Sequence, residues 1–312
     1  MTSVFIDGSA GTTGLRIRER LASRADLSVS VLPDDLRKDA SARRDALNAA
    51  DVAFLCLPDA AAVESAGLVE NPDTVVIDTS TAHRTADGWE YGFPELAGRR
   101  GRIAVAKRIA NPGCHATGFI ALVEPLVRAG IVAKDAVLSA FSLTGYSGGG
   151  KKMIAAYDSA LAPDSASRTP DSALYLGGRQ YALGQTHKHL PEMVKVCGLS
   201  NAPVFSPIVV PHLAGMEVTV QLPGGRVGEI RDVYRSCYKS GLVRFVEGDD
   251  GDGFLSSAAL SGRDSLEVSV WGCDGRVVLV SRFDNLGKGA SGAAIQNMNI
   301  AIGADETEGL VE

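Results

Sequence analysis

The stretch "SVFIDGSAGTTGLRIRERL", residues 3–21, narrows the fold more than any other part of the chain. A β-rich apolar run meets Gly8, Gly11 and Gly14, then passes at once into a segment whose Leu15, Ile17 and Leu21 share a helical face. The alternation continues: "LSVSVL" (27–32) reads as a strand, "SARRDALNAA" as a helix and "VAFLCLP" (52–58) as a buried strand. "DAAAVESAGLVE" reads as the next helix and "VVIDTS" (75–80) as the next strand. Strands alternating with helices imply a parallel, doubly wound sheet of Rossmann type. Glycines at the first strand-to-helix turn let the backbone approach a pyrophosphate, whose charge then lies at the helix N-terminus. The spacing is G-x-x-G-x-x-G rather than the commoner G-x-G-x-x-G, and the plain alternative is a tight turn with no ligand. The βαβ context favours a dinucleotide. After the second strand, "LPDDLRKD" offers Asp34 and Asp35 for a ribose 2′-hydroxyl, but also Arg37 and Lys38 for a 2′-phosphate. These residues leave NAD and NADP both open.

A helix is expected from about Cys114 to Arg128, following "NPG". Beyond it long β-type runs appear, with helical segments near 150–161, 188–197 and 228–240 between them. In "LEVSVWGCDGRVVLVSRF" an Asp-Gly turn joins two alternating strands as a hairpin. The expectation is an α+β second domain with a mostly antiparallel sheet. The polar run 162–173 reads as a loop and as the most mobile segment. The chain ends in a small-residue-rich helix, "KGASGAAIQNMNIAIGA".

A length of 312 residues fits two domains, and 45% hydrophobic with 22% charged residues is a globular composition. A net charge of −6 gives no footprint for nucleic acid or acidic membranes. The opening "MTSVFIDGSAG" lacks the basic and apolar regions of a secretory signal, and no apolar run is long enough to span a bilayer, so a cytoplasmic location is expected. Cys56, Cys114, Cys197, Cys237 and Cys273 are odd in number and widely spaced, which fits neither a disulfide framework nor a zinc ribbon.

Among them Cys114 alone has a setting that would activate a thiol. Pro112 and Gly113 place it in the first turn of its helix, where backbone N–H groups can lower a thiol pKa. The default reading of any cysteine is buried filler. His212, in "VVPHLAGM", follows a strand and a proline, a good position for a proton-moving partner. His187 and His189, in "THKHLPEM", look like a metal pair, but i and i+2 do not share a helical face and no further ligands accompany them; no metal is expected. His83 and His115 read as polar residues near a loop or helix start. A nucleophilic cysteine, a distant histidine and a dinucleotide loop together point to acyl capture as a thioester with hydride exchange at that carbon.

These motifs are similar to those of one family. "FIDGSAGTTGLRIRERL", "VIDTSTAHR", "YGFPEL", "NPGCHATG", "TGYSGGGKK", "THKHLPEM", "VVPHLAGM" and "DNLGKGASGAAIQNMN" occur in its order. From residue 5 to residue 299 the chain resembles the short-form N-acetyl-γ-glutamyl-phosphate reductases of the semialdehyde dehydrogenase superfamily. "NPGC" is shared with other members of that superfamily, whereas the combination is more specific. The resemblance implies NADPH-dependent reduction of the acyl phosphate N-acetyl-L-glutamyl 5-phosphate to the 5-semialdehyde, with phosphate release, in arginine biosynthesis. By motif it makes Cys114 the nucleophile and His212 the general acid/base. It assigns Gly8, Gly11, Thr12, Thr13, Gly14, Arg37, Ser80, Asn285, Lys288 and Gly289 to the NADP(H) site. Arg84, Lys151 and His189 become substrate contacts; Arg84 and Lys151 could equally be surface charges. The implied domains are 1–113 with 286–312 for the cofactor, and 114–285 for catalysis and oligomerisation, with a homodimer or homotetramer expected. Two other functions compete: an aspartate-semialdehyde dehydrogenase with the same chemistry on a shorter acid, and a non-catalytic dinucleotide-binding protein with Cys114 as a redox sensor.

Overall fold

A computed structural model describes residues 1–162, 170–239 and 241–312. The expected polar loop at 162–173 therefore lies mostly outside the described residues. The chain divides into two compact units, Met1–Gly113 with Ala290–Val311, and Cys114–Gly289 with Glu312.

The first unit holds six strands: β1 (Thr2–Asp7), β2 (Leu27–Ser30), β3 (Val52–Leu55), β4 (Val75–Asp78), β5 (Glu90–Tyr91) and β6 (Arg108–Ala110). Every pairing in this sheet is parallel, in the order β2-β1-β3-β4-β6-β5. Helices α1 (Thr12–Leu21), α2 (Ala40–Ala49), α3 (Asp59–Gly67) and the short α4 (Arg99–Ile103) connect the strands. Val4, Ile6, Val52, Phe54, Ile77 and Ile109 are buried, and the C-terminal helix Gly292–Ala301 adds Ile295 and Met298 to that core. The near-continuous apolar character of these strands reflects a parallel sheet covered on both faces. The chain leaves β1 for β2 on one side and returns to β3 on the other, so the strand order reverses at β1/β3. In such sheets the crevice at the carboxyl ends of these two strands is where ligands bind.

In the second unit α5 (Cys114–Arg128) starts and stops where the sequence predicts. It is followed by β7 (Ser139–Gly145), α6 (Gly150–Leu161), α7 (Pro170–Ala173), β8 (Arg179–Gln180), α8 (Leu190–Cys197), β9 (Val204–Val210), β10 (Met216–Pro223), α9 (Val227–Cys237), β11 (Val243–Phe245), β12 (Leu266–Cys273) and β13 (Arg276–Phe283). The sheet runs β11-β12-β13-β10-β7-β9-β8. It is mixed: β11/β12 and β7/β9 are parallel, and the remaining pairs are antiparallel. Asp274 and Gly275 form the expected two-residue turn of the β12–β13 hairpin, with Gly275 at φ +83°.

Two local features seat α5. A side chain at Gly118 would come within 2.5 Å of Val218 and 2.8 Å of Phe283, so the glycine lets the helix lie close on β10 and β13. Pro125, inside the helix, has no N–H to give to the carbonyl of Ala121. The Tyr238 hydroxyl donates to that carbonyl instead, at 2.7 Å, and Tyr234 donates to the carbonyl of Leu122 at 2.5 Å. Both tyrosine rings are buried.

Residues 286–289 fall within the second compact unit. Buried Asp284 holds them there: its carboxylate accepts the N–H groups of Leu286 (2.7 Å) and Gly287 (3.1 Å), and its carbonyl accepts that of Gly289 (3.0 Å). Its second carboxylate oxygen accepts from Gly262 at 2.6 Å. The return to the first unit begins at Ala290.

Candidate active site

Gly8 ends β1 with φ +88°, and a side chain there would run into the carbonyl of Cys56, just past β3. A Cβ at Gly14 would stand 2.6 Å from the carbonyl oxygen of Gly8. These two glycines therefore serve close packing at the switch point. Gly11 differs: it is exposed, precedes α1 in an extended conformation, and a Cβ there would meet nothing nearer than 3.6 Å. Thr12 and Thr13 open α1 with no side-chain cap and no acidic residue in the first turn, an arrangement that suits an anion. Gly8, Ser9, Ala10, Leu32, Asp34 and Arg37 line a shared hollow beside this turn, with Arg37 Nη1 3.3 Å from Asp34 Oδ1.

At the carboxyl end of β4, Ser80 donates its hydroxyl to buried Asp78 at 2.7 Å. The same carboxylate lies 2.6 Å from His83 Nδ1, and the His83 ring stacks on Trp89 with centroids 4.0 Å apart. Arg84 donates to the backbone carbonyls of Asn111 (2.9 Å) and Thr79 (3.1 Å), so it braces the chain that leads to Cys114.

In the second unit Cys114 is the first residue of a 15-residue helix, half-buried, where the helix N–H groups gather. Gly289 lies against it: a Cβ on Gly289 would come within 3.0 Å of the Cys114 Cβ. The other thiols are differently placed. Burial pushes Cys56 up to about 12, and Cys197 well above its ordinary value. Cys237 faces the Arg128 guanidinium at 3.2 Å, and Cys273 is exposed in the hairpin. In native protein at pH 8, iodoacetamide is expected to leave Cys56 and Cys197 unmodified while Cys273 reacts. Peptide mass spectrometry before and after denaturation checks this, and labelling of Cys56 in the native state contradicts it.

His212 is half-buried in the loop between β9 and β10, with Nε2 3.0 Å from Ser257 Oγ. Loss of solvent lowers its pKa, opposed by nearby backbone carbonyls. The loop is clamped: the carbonyls of His212 and Leu213 accept from Tyr146 and Ser147 at 3.0 Å each. Asn285 accepts the Gly215 N–H at 3.0 Å and donates to Ser147 Oγ at 2.9 Å. Asn285 and Gly289 thus connect the His212 loop and Cys114 through one short segment. Lys288, between them, is fully buried, whereas Lys151 is exposed at the start of α6.

Sequence reasoning missed a cluster beside Cys114. His115 is buried, with Nδ1 2.7 Å from Ser142 Oγ and Nε2 2.7 Å from Tyr181 Oη. The His187 and His189 rings pack against it, at centroid distances of 5.2 and 5.6 Å. Burial raises the Tyr181 pKa, with a smaller contribution from charge on Cys114, whose neighbour in the chain is His115. Only the histidine motif marked this region in sequence, because Tyr181 carries no periodic or motif signal of its own. Among the described residues no group of three or more His, Cys, Asp or Glu could hold a metal ion, and no helix is long and apolar enough to cross a membrane.

The family model for the semialdehyde dehydrogenase dimerisation domain matches residues 114–285, and that for the semialdehyde dehydrogenase NAD binding domain matches residues 33–104. An N-acetyl-gamma-glutamyl-phosphate reductase of Burkholderia orbicola is 44% identical over 97% of each chain. N-acetyl-gamma-glutamyl-phosphate reductase 2 of Nostoc sp. is 42% identical over 98% of each. Among solved structures, aspartate semialdehyde dehydrogenase II of Vibrio cholerae has a TM-score of 0.72 at 17% identity, covering 97% of this chain and 98% of its own. The aspartate semialdehyde dehydrogenase of Candida albicans, solved with NADP, has a TM-score of 0.65 at 14% identity, covering 96% and 99%. The chain belongs to the semialdehyde dehydrogenase family of oxidoreductases, and within it to the N-acetyl-gamma-glutamyl-phosphate reductases.

Proposed function

We propose that this protein reduces N-acetyl-L-glutamyl 5-phosphate to N-acetyl-L-glutamate 5-semialdehyde with NADPH, through a thioester on Cys114, in arginine biosynthesis. The observation that carries the reading is the placement of Cys114 alone among the cysteines at the start of a long helix. Sequence identity of 42–44% to the named reductases supports this substrate over aspartate semialdehyde, for which the likeness is one of fold. The thiolate attacks the acyl phosphate and phosphate leaves, giving the thioester; the reduced carbon then collapses from the thiohemiacetal and frees the thiol. A bound nicotinamide supplies the hydride. Gly8, Gly11, Thr12, Thr13 and Gly14 would hold its pyrophosphate and Arg37 the 2′-phosphate; Ser80, Asn285, Lys288 and Gly289 are assigned to the same cofactor. Arg84, Lys151 and His189 are assigned to substrate anions. The protein acts on a small molecule in the cytoplasm as a homodimer or homotetramer, which light scattering on the purified protein tests.

His212 is assigned the proton transfers. Its lowered pKa keeps the imidazole neutral and able to accept a proton near pH 7. The acid limb of turnover is therefore expected below about pH 6.5, the ordinary histidine value. His212→Asn is expected to lower kcat by roughly 10²–10⁴ with little change in KM, the range for acid–base catalysis. An unchanged kcat removes His212 from the acid/base role.

The test of the whole reading runs the reaction backwards, following nicotinamide absorbance with N-acetylglutamate semialdehyde, phosphate and NADP. Phosphate-dependent signal with the acetylated substrate supports it. Signal with aspartate semialdehyde alone transfers the protein to the sister activity, and silence with both leaves Cys114 a redox sensor.

A further inference from the structure

The Tyr181 oxygen stands between two imidazoles. His115 Nε2 is 2.7 Å away and His187 Nε2 is 3.5 Å away. Which of them donates follows from what each ring does at its other nitrogen, since a neutral imidazole has one N–H and one bare nitrogen. His187 Nδ1 accepts the backbone N–H of His189 at 3.2 Å, so it is bare and the hydrogen sits on Nε2, facing Tyr181. His115 Nδ1 faces Ser142 Oγ at 2.7 Å. Ser142 is fully buried, and among the described residues this imidazole is the one partner of its hydroxyl. A buried hydroxyl hydrogen with no acceptor is costly, so Ser142 donates to Nδ1 and the His115 hydrogen also sits on Nε2. Burial keeps His115 neutral, with His187 and Lys188 adding to the effect. Both lone-pair directions of the Tyr181 oxygen then face N–H groups, and its own hydrogen has to point elsewhere.

We propose that His115 is a positioning residue: held by Ser142 in its Nε2–H form, it turns the Tyr181 hydroxyl into a pre-aimed donor for an oxygen of the acyl substrate carried by Cys114. This rests on the thioester reading above. The loop that presents Tyr181 is built to hold still. The Tyr181 N–H bonds the Pro207 carbonyl at 3.1 Å, and the Gln185 side chain pairs with both backbone groups of Phe205, at 2.8 and 2.9 Å. Ala182 and Gln185 are held at φ +52° and +56°, a conformation that persists in non-glycine residues only where the surroundings enforce it. The Phe205 ring meets His115 edge-on at 5.4 Å and closes the cluster from the sheet side.

The first test needs no substrate. In the full chain carrying ¹⁵N-histidine, long-range ¹H–¹⁵N correlation at pH 7.5 is expected to show His115 as the Nε2–H tautomer. Ser142→Ala should move part of the population to Nδ1–H. An Nδ1–H tautomer in the unaltered protein overturns the proposal. The second test is kinetic, in the phosphate-dependent oxidation of N-acetylglutamate semialdehyde. Tyr181→Phe is expected to lower kcat/KM by roughly ten- to hundredfold, the loss expected for a hydrogen bond to a charged oxygen. Ser142→Ala should cost less, and the double variant should be no worse than Tyr181→Phe, because Ser142 acts through the phenol. Losses that multiply independently overturn it. Absence of any turnover in the unaltered protein sinks the thioester reading instead, and the tautomer measurement still decides the role of His115.

Discussion

Cys114→Ser is expected to abolish reduction of the acyl phosphate while leaving NADPH affinity unchanged. A serine hydroxyl is a far weaker nucleophile at neutral pH, because the acidity that a thiol brings to the start of α5 is lost. Loss of a covalent nucleophile lowers kcat by on the order of 10³-fold or more. The substitution is close to isosteric in a half-buried position, and Gly289 leaves room beside it, so the fold should be retained. The nucleotide fit of Gly8, Gly11 and Gly14 belongs to the other unit, which is why cofactor titration by nicotinamide fluorescence should read as in the unaltered protein. Mass spectrometry of protein quenched during turnover should find the acyl adduct on Cys114 and none on the serine variant. A variant that kept most of its turnover would falsify the thioester mechanism.

Much of this molecule was legible in sequence because its signals are local. The run from β1 through Gly8 to Leu21 shows a change of period from two to 3.6 across a glycine turn, and nothing distant is needed to read it. The start of α5 is similarly local, since Pro112 and Gly113 break the chain before an apolar helical run. The cluster around Tyr181 is the opposite case. It draws His115 from α5, Ser142 from β7, Tyr181 from beyond β8 and His187 from a loop, so its bonds span separations of 66 residues and 27 residues with no common period. The two-residue β8 that delivers Tyr181 is too short to carry a pattern. His115 read as a bland polar residue for the same reason: its partners became visible only when β7 and β8 were placed on either side of β9. Asp284 tethers the turn that follows it through side-chain bonds that composition does not reveal. Asn285 belongs to the same class, since its amide braces Gly215 and Ser147 across 70 and 138 positions of chain.

Gly8→Ala and Gly11→Ala should separate two uses of glycine in one loop. At Gly8 the backbone has φ +88°, and a methyl group would be driven into the Cys56 carbonyl and to within 2.9 Å of Leu57. The left-handed backbone costs an alanine about 1–2 kcal/mol. Overpacking adds roughly 1–3 kcal/mol, because neither β1 nor β3 can move without disturbing the buried sheet. At about 2–4 °C per kcal/mol, the midpoint of thermal unfolding should fall by roughly 5–15 °C. At Gly11 the backbone is extended, at φ −73° and ψ 164°, and nothing lies within 3.5 Å of a Cβ. Stability there should stay within about 0.5 kcal/mol, as for other exposed substitutions. If the pyrophosphate approaches the exposed backbone ahead of Thr12, the methyl group stands in its path, and NADPH affinity should drop about tenfold or more while the melting temperature holds, a shift of about 1.4 kcal/mol in binding. Differential scanning fluorimetry and fluorescence titration on the same two samples give the comparison. A Gly11→Ala protein that binds NADPH as tightly as the unaltered one would place the phosphates away from this turn, and would leave only Gly8 and Gly14 with a role, as packing devices at the β1/β3 switch point.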